Sequence, residues 1–458
     1  MLLAVDSLPY LLFVPSSLEI FLQLIYYRIG ISRIQYSLSV DSLPSLSILV
    51  PIKGETIEVI QGLIDNLTNL KWDRNKLEVI IISDDDETTF EKIRRSITIP
   101  SELRVILVRR QERIGQKSGA LLHGLRLSRG NLILTLDVDA RLYPDSVLRA
   151  YSLMIDKNCD AVSMDWRGYS RNGSKLARGL MVATAIGSIS VLRGRHRAGM
   201  VVFPVGSGTL FKREALQVVN GWDPSIVQED LEIGVRLAYA GKTVCGSDIP
   251  IMVEVPDDLY SFYIQQTRWA MGSMETLIWR FKYIIFSKKS IFKKLEMIVY
   301  LLQYIPISIT FISATLLVML LPFVREDLIT NPVFTLWITV TAAYAFLFVN
   351  MGRKLGMSFQ EALLSLGRTS AYTVAISPYI LMWTLRGLRK RRPFRVTPKG
   401  KRLETNSGIL IPILTFGVIF MVASLAYMAM GMIVTGLWLF YYSAGYIYTV
   451  YIDKKQKI

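Results

Sequence analysis

Two cysteines and two histidines in 458 residues leave little material for a disulfide scaffold or a zinc cluster. Cys159 and Cys245 read as small buried apolar side chains, and His123 and His196 each stand alone in the sequence. Acidic residues are also in short supply, 37 Asp and Glu against 53 Lys and Arg, for a formal charge of +16. Charged residues make up 20% of the chain and hydrophobic residues 51%, which excludes intrinsic disorder. Apolar bulk with a basic excess is ordinary for a membrane protein with basic cytoplasmic flanks. The Lys and Arg crowd beside apolar runs, which argues against nucleic acid as the partner.

What is present falls into zones. Residues 8–30 form an apolar stretch long enough to span a hydrocarbon core of about 30 Å. No small-residue cleavage site follows a short apolar core, so residues 1–44 read as an anchor and linker rather than a signal peptide. Glu19, near the middle of that stretch, requires protein or a water-filled groove beside it. Residues 45–256 change character: β-branched runs at 46–51, 77–83, 103–108 and 132–137 alternate with amphipathic segments. That alternation predicts a mostly parallel sheet covered by helices, with ligands beyond the carboxyl ends of the strands.

Residues 257–294 are basic and aromatic, as in an interfacial amphipathic segment. Residues 295–352 hold two apolar runs, 295–324 and 333–349, separated by Glu326 and Asp327. Residues 353–407 contain a further run, 371–388, interrupted by Pro378. In the last zone, 408–458, residues 409–452 carry no charge; as one helix they would reach about 66 Å. Two passes turning near Gly431 are expected instead. Arg28, Arg33, Lys288, Lys289, Lys293, Lys294, Arg389, Arg392, Lys454, Lys455 and Lys457 flank the apolar runs. The positive-inside tendency places them, and the α/β domain with them, on the cytoplasmic face of the cell membrane. An even number of crossings must then separate the domain from Arg389, so 371–388 is expected to lie in the interface or re-enter.

Several short patterns carry chemistry. Asp137-Val138-Asp139 ends a strand-like run; residues i and i+2 share a face in extended backbone, so both carboxylates can meet one hard cation such as Mg²⁺ or Mn²⁺. The alternative is a solvated loop. Asp84-Asp85-Asp86-Glu87 follows another strand and is either a solvated acidic turn or a site for the N–H and O–H donors of a base and ribose. Lys117 precedes a helix, where it can neutralise phosphate or lie on the surface. Gln228-Glu229-Asp230 opens an amphipathic segment closed by Gly241, so its carboxylates are either a dipole-friendly cap or include a general base. In Gln265-Gln266-Thr267-Arg268-Trp269, Arg268 can meet a diphosphate and Trp269 a sugar ring, or both can lie at a membrane surface.

In order, residues 47–53, 83–86, 117–125, 137–139, 228–230 and 265–269 resemble the motifs of family-2 inverting glycosyltransferases. Gln265-x-x-Arg268-Trp269, with Phe394-Arg395-Val396-Thr397-Pro398-Lys399 as a gating loop, resembles the membrane-embedded branch that includes cellulose and hyaluronan synthases. The resemblance implies a GT-A type, Rossmann-like α/β domain held between transmembrane and interfacial helices. It implies Asp230 as catalytic base. Asp84, Asp85, Lys117, Asp137, Arg268, Thr397 and Lys399 are implied as nucleotide contacts, and Asp137 with Asp139 as the holders of Mg²⁺ or Mn²⁺. Glu229, Gln265 and Trp269 are implied at the acceptor, and Phe394 and Val396 in the gating loop. Asp86 departs from the family pattern, where many relatives carry Gly.

The reaction implied is transfer of a hexose from a nucleotide sugar, a UDP-hexose or GDP-mannose, to a lipid-linked (polyprenyl or dolichyl) or membrane-associated glycan. Two other readings stand beside it. One is a processive polysaccharide synthase that threads a polymeric glycan through the bilayer; the other is a non-catalytic transporter with a nucleotide-binding domain. The absence of a repeat of broken spans tells against the transporter.

Overall fold

The computed structural model describes residues 2–37, 42–324, 326–389 and 405–455, with side chains from residue 9 onward. The expected gating loop, with Phe394, Val396, Thr397 and Lys399, lies outside the described residues. Helix α1 (Leu2–Gly30) leads into an alternating region: β1 (Leu46–Ile52), α2 (Ile57–Thr68), β2 (Leu77–Ser83), α3 (Glu87–Ser96), β3 (Arg104–Arg109), α4 (Gln116–Leu127) and β4 (Leu132–Thr135). Then come β5 (Arg141–Leu142), α5 (Ser146–Asp156), β6 (Ala161–Tyr169), α6 (Lys175–Ser188), α7 (Arg195–Arg197), β7 (Thr209–Lys212), α8 (Arg213–Val218), α9 (Glu229–Tyr239) and β8 (Val244–Glu254). A π-helical segment, Ile189–Gly194, joins α6 to α7.

The eight strands form one sheet in the order β3-β2-β1-β4-β7-β6-β8-β5. β1 to β4 pair in parallel, as the alternation implies. β7 runs antiparallel to both β4 and β6, and β5 antiparallel to β8, so the sheet is mixed. β5 and β7 are two and four residues long, too short to show in the hydropathy pattern. β2 is buried along its whole length, as a central strand covered on both faces must be. One face packs on Leu63, Ile64, Val147 and Leu153 of α2 and α5. The other packs on Leu121, Leu216, Ile233 and Leu237 of α4, α8 and α9.

Cys159 and Cys245 are buried as expected, but they are joined in a disulfide, with Cα atoms 6.0 Å apart beside paired β6 and β8. The reading of both as simple apolar side chains is corrected. Two isolated cysteines 86 residues apart gave no sign that strand pairing would make them neighbours.

The remaining chain is helical: α10 (Leu259–Ile285), α11 (Ile291–Leu301), α12 (Ile305–Met319), α13 (Pro332–Lys354), α14 (Phe359–Ala375), α15 (Ser377–Arg386), α16 (Ser407–Ala429) and α17 (Ile433–Lys455). Among the described residues, four helices are long and apolar enough to cross a membrane: Pro9–Gly30, Lys175–Arg197, Pro332–Lys354 and Ser407–Ala429. The expected span at 295–324 is instead a pair, α11 and α12, bent by 56° at a break; counted as one span it brings the number to five. Pro306, in the first turn of α12, has no N–H to continue the α11 ladder, so the helix restarts there. Lys175–Arg197 was not expected among the apolar helices, because it sits inside the α/β region; it packs on α1, α13 and α14 as well as on β6. Pro378 likewise starts α15 after α14 has ended at Ala375. Gly431, with φ +81°, makes the reversal between α16 and α17.

Candidate active site

The site is built beyond the carboxyl end of β4, beside β6 and the end of β8, and is closed by helices. β4 stops at Thr135, two residues short of Asp137, so the two aspartates stand on a turn rather than on extended backbone. The turn is fastened by Ala140 N–H donating to the Asp137 carbonyl at 3.0 Å. Asp137 N–H donates to Ser207 Oγ at 3.0 Å, and Tyr169 OH to the Asp139 carbonyl at 2.6 Å. Both aspartates still face one cavity of about 480 Å³.

Lys117 enters from the first turn of α4, after Gly115 in the left-handed region (φ +74°). Its ammonium lies 2.8 Å from Asp137 Oδ1, 2.7 Å from Glu229 Oε1 and 3.0 Å from the Gly206 carbonyl. Burial alone would favour loss of its proton; Asp137 and Glu229 outweigh that and push its pKa above the ordinary lysine value. Glu229 and Asp230 open α9, with Gln228 before them. The Asp230 carboxylate, partly exposed to the cavity, accepts from Leu231 N–H at 2.8 Å. Burial, with Glu229 beside it, raises its pKa to about 7, against the opposing pull of Lys117 and Arg268.

α10 supplies the opposite wall. Gln265, Arg268 and Trp269 fall at i, i+3 and i+4 and so share a helix face, and all three line the cavity. Asp258 sets the start of α10, accepting from Ser261 N–H at 2.7 Å. Gly272 lets α10 approach α9: a Cβ there would sit 2.5 Å from Gln228 Cβ. Glu275 accepts from Val227 N–H at 3.0 Å, and Arg280 donates to Glu232 at 2.6 Å, so the part of α10 beyond Gly272 is tied to α9 and to the residues just before it. Trp166 stands by Trp269, ring centroids 6.5 Å apart, and donates to the Ser207 carbonyl at 2.7 Å.

The cavity thus brings together Lys117, Asp137, Asp139, Glu229, Asp230, Gln265, Arg268 and Trp269. Asp84 and Asp85 are not among its described lining. Asp84 is held by Arg110 through two hydrogen bonds of 2.7 and 2.6 Å, both residues being buried, and acts as an anchor for the turn before α4. Asp85 accepts from Gly54 N–H at 2.7 Å and Ser83 Oγ–H at 2.8 Å, beside the ends of β1 and β2. Asp86 is the N-cap of α3, accepting from Thr89 N–H at 2.8 Å, which accounts for an Asp in place of Gly.

Sequence reasoning missed a second part of the lining: Gln303 and Tyr304 at the α11–α12 break, Tyr344 on α13, and Thr369 and Thr373 on α14. The i, i+4 threonine pair in a largely apolar helix was the available signal.

A divalent cation suits the donor set. Among the described residues no group of three His, Cys, Asp or Glu side chains could hold a metal ion. Two carboxylates on one turn, offering hard oxygen ligands, are nevertheless what a cation needs when substrate phosphates and water complete its shell. Asp137 and Asp139 fit that role.

The family model described as glycosyl transferase family group 2 matches residues 132–351, which contain Asp137, Asp139, Glu229, Asp230, Gln265, Arg268 and Trp269. A protein of Sulfolobus acidocaldarius, named as a probable glycosyltransferase, is 47% identical over 453 residues, covering 97% of this chain and 98% of its own. The beta-monoglucosyldiacylglycerol synthase of Trichormus variabilis is 26% identical over 262 residues, 57% of this chain and 56% of that one. Among solved structures, the mannosyltransferase PcManGT of Pyrobaculum calidifontis, in complex with GDP-Man and Mn²⁺, is similar in fold. Its TM-score is 0.57 at 18% identity, covering 82% of this chain and 99% of that one, and the shared fold is GT-A-like. The identity to the Sulfolobus protein extends over almost the whole chain, and this protein belongs to glycosyl transferase family group 2.

Proposed function

We propose that the protein is an inverting, metal-dependent hexosyltransferase of the membrane-embedded branch, moving a sugar from a nucleotide sugar to a membrane-held acceptor. The observation that carries this is the meeting of Asp230 and Glu229 on α9 with Gln265, Arg268 and Trp269 on α10 across one cavity from Lys117, Asp137 and Asp139. Acids that can accept a proton line the same cavity as cations that can meet a diphosphate, and Trp269 and Trp166 line it with them.

In the reaction, the Asp230 carboxylate takes the proton of the acceptor hydroxyl as that oxygen attacks the anomeric carbon. One displacement inverts the configuration. Arg268 and Lys117 face the departing diphosphate, and Trp269 with Trp166 shapes the sugar's place. A bound Mg²⁺ or Mn²⁺, which Asp137 and Asp139 would hold, supplies charge neutralisation at the leaving group. Asp85 at the end of β2 remains the group suited to the base and ribose, and Asp84 supports it through Arg110. In this reading the apolar helices lie in a membrane and the sheet domain faces the cytoplasm, which the candidate spans and the basic flanks support.

The test is incubation of purified protein in vesicles with UDP-hexoses and GDP-mannose, with and without Mn²⁺, and NMR of the product. Consumption of a donor only with metal, giving a product of inverted anomeric configuration, supports the proposal; a retained configuration overturns it.

A further inference from the structure

The turn that carries Asp137 and Asp139 stands outside the ladder that fixes the rest of the sheet. β4 ends at Thr135 and β5 begins at Arg141, so residues 137–140 have no strand to hold their carbonyls. Val138, Asp139 and Ala140 are buried, and buried carbonyls need donors. Four in succession find them. Ala140 N–H donates to the Asp137 carbonyl at 3.0 Å. Arg141 Nη1 donates to the carbonyls of Val138 at 2.9 Å and Ala140 at 2.7 Å. Between those two, the Asp139 carbonyl accepts from Tyr169 OH at 2.6 Å.

Both side-chain donors come from behind the site. Neither Arg141 nor Tyr169 is among the described residues that line the cavity, whereas Asp137 and Asp139 are. Arg141 Nη2 also donates to the Val59 carbonyl of α2 at 3.3 Å. α2 makes room for the guanidinium: a Cβ on Gly62 would lie 2.7 Å from Arg141 Nη2. Glycine inside a helix is destabilising relative to alanine, and here the guanidinium occupies the space that an alanine methyl would crowd. Tyr169 ends β6, paired in register with Glu254 of β8, and its own carbonyl accepts from Val255 N–H at 2.9 Å. Arg171, just beyond, meets Glu254 at 3.3 Å, so the strand end that presents the hydroxyl is itself fastened.

We propose that Arg141 and Tyr169 are positioning residues, which hold three consecutive carbonyls of this turn so that the Asp137 and Asp139 carboxylates converge on one divalent cation. The proposal rests on the reading of those two aspartates as the holders of Mg²⁺ or Mn²⁺. A small hard cation demands near-ideal geometry from its ligands. Two carboxylates separated by a single residue meet that demand only if the peptide planes between them are fixed, and Arg141 and Tyr169 fix them. The sign of the effect separates positioning from charge. A guanidinium beside two carboxylates opposes cation binding by electrostatics alone, so a purely electrostatic Arg141 would strengthen metal binding when removed. A positioning Arg141 weakens it when removed.

The experiment titrates the full chain calorimetrically with UDP and with GDP, each with and without Mn²⁺. Tyr169→Phe should weaken the Mn²⁺-dependent binding about three- to tenfold, the effect of one lost hydrogen bond. Arg141→Met should weaken it about ten- to hundredfold, as loss of a group that orients metal ligands does. Metal-free nucleotide affinity should change little in either. Arg141→Lys should recover part of the loss, because an ammonium still donates to the turn but cannot span it and Val59 together. Gly62→Ala displaces the guanidinium from the α2 side; it should weaken Mn²⁺-dependent binding about threefold or more while the melting temperature of the metal-free protein changes little. Should Arg141→Met fail to fold, Tyr169→Phe and Gly62→Ala decide the matter. Unchanged or tighter Mn²⁺-dependent binding in these variants, or equal losses with and without metal, overturns the proposal while leaving Asp137 and Asp139 as the metal holders. If the parent binds neither nucleotide more tightly with Mn²⁺, that reading falls and the proposal with it.

Discussion

Asp230 should make the protein less stable in order to make it active, and the size of the effect follows from its surroundings. Burial and the adjacent Glu229 raise its pKa from 3.8 to about 7. Each unit corresponds to about 1.4 kcal/mol, and allowing for its partial exposure to the cavity the ionised form is disfavoured by roughly 2–4 kcal/mol. The sign follows from proton binding. Between the unfolded value near 3.8 and the folded value near 7 the native protein holds a proton that the unfolded chain has lost. Stability contributed by this group therefore declines as pH rises through that window and levels off above it. Asp230→Asn removes the titration. Thermal unfolding in detergent, followed at pH 4 and pH 8.5, should show the variant gaining on the parent at the higher pH by on the order of 5 °C, and little or no gain at the lower. The same variant should lose about 10²–10⁴ in turnover, and the parent's turnover should climb as pH passes through 7. A melting difference equal at both pH values, or a parent that is the more stable at pH 8.5, would refute the argument.

Three further outcomes are expected. Asp139→Ala should abolish the Mn²⁺-dependent part of nucleoside diphosphate binding along with turnover, measured by calorimetric titration with and without the metal; equal affinities in parent and variant would remove Asp139 from the metal site. Lys117→Met leaves Asp137 and Glu229 without their shared ammonium and should lower stability by about 3 kcal/mol, read from denaturant unfolding, with a larger loss of donor affinity than Asp230→Asn shows. Gly272→Val forces a side chain into Gln228 and so parts α10 from α9; kcat should drop more than tenfold with donor KM little changed, and normal kcat would show that the spacing of the two helices is not what aligns Asp230 with Arg268.

The α/β region was legible because its strands are short β-branched runs and its chemistry sits just past their ends. Asp137, Asp139, Glu229, Asp230, Gln265, Arg268 and Trp269 were all visible in the sequence as local patterns, and the fold brings them to one cavity. Asp84 shows the limit of such patterns: an acid beside a site is indistinguishable in sequence from an acid in it, and only the Arg110 partner, 26 residues away, separates the two. The bend after Leu301 was hidden by hydropathy, which reports how apolar a stretch is and not whether its ladder of hydrogen bonds is continuous. β7 was hidden by its length. Thr369, Thr373 and Tyr344 were hidden for a different reason: each belongs to a helix that looks complete by itself, and the wall they form exists only once α6, α13 and α14 are side by side.

The bond between Cys159 and Cys245 turns the stretch between them into a ring. Trp166, the whole of α6, Gly206, Glu229 and Asp230 all lie on that ring, while Lys117, Asp137 and Asp139 lie before it and Gln265, Arg268 and Trp269 after it. The segment that carries α9 and Asp230 is therefore tethered at both ends to the sheet, at the start of β6 and on β8. Fraying of that segment cannot propagate into release of the chain, and a protease cut anywhere within it leaves two fragments that still travel together until a reductant is added.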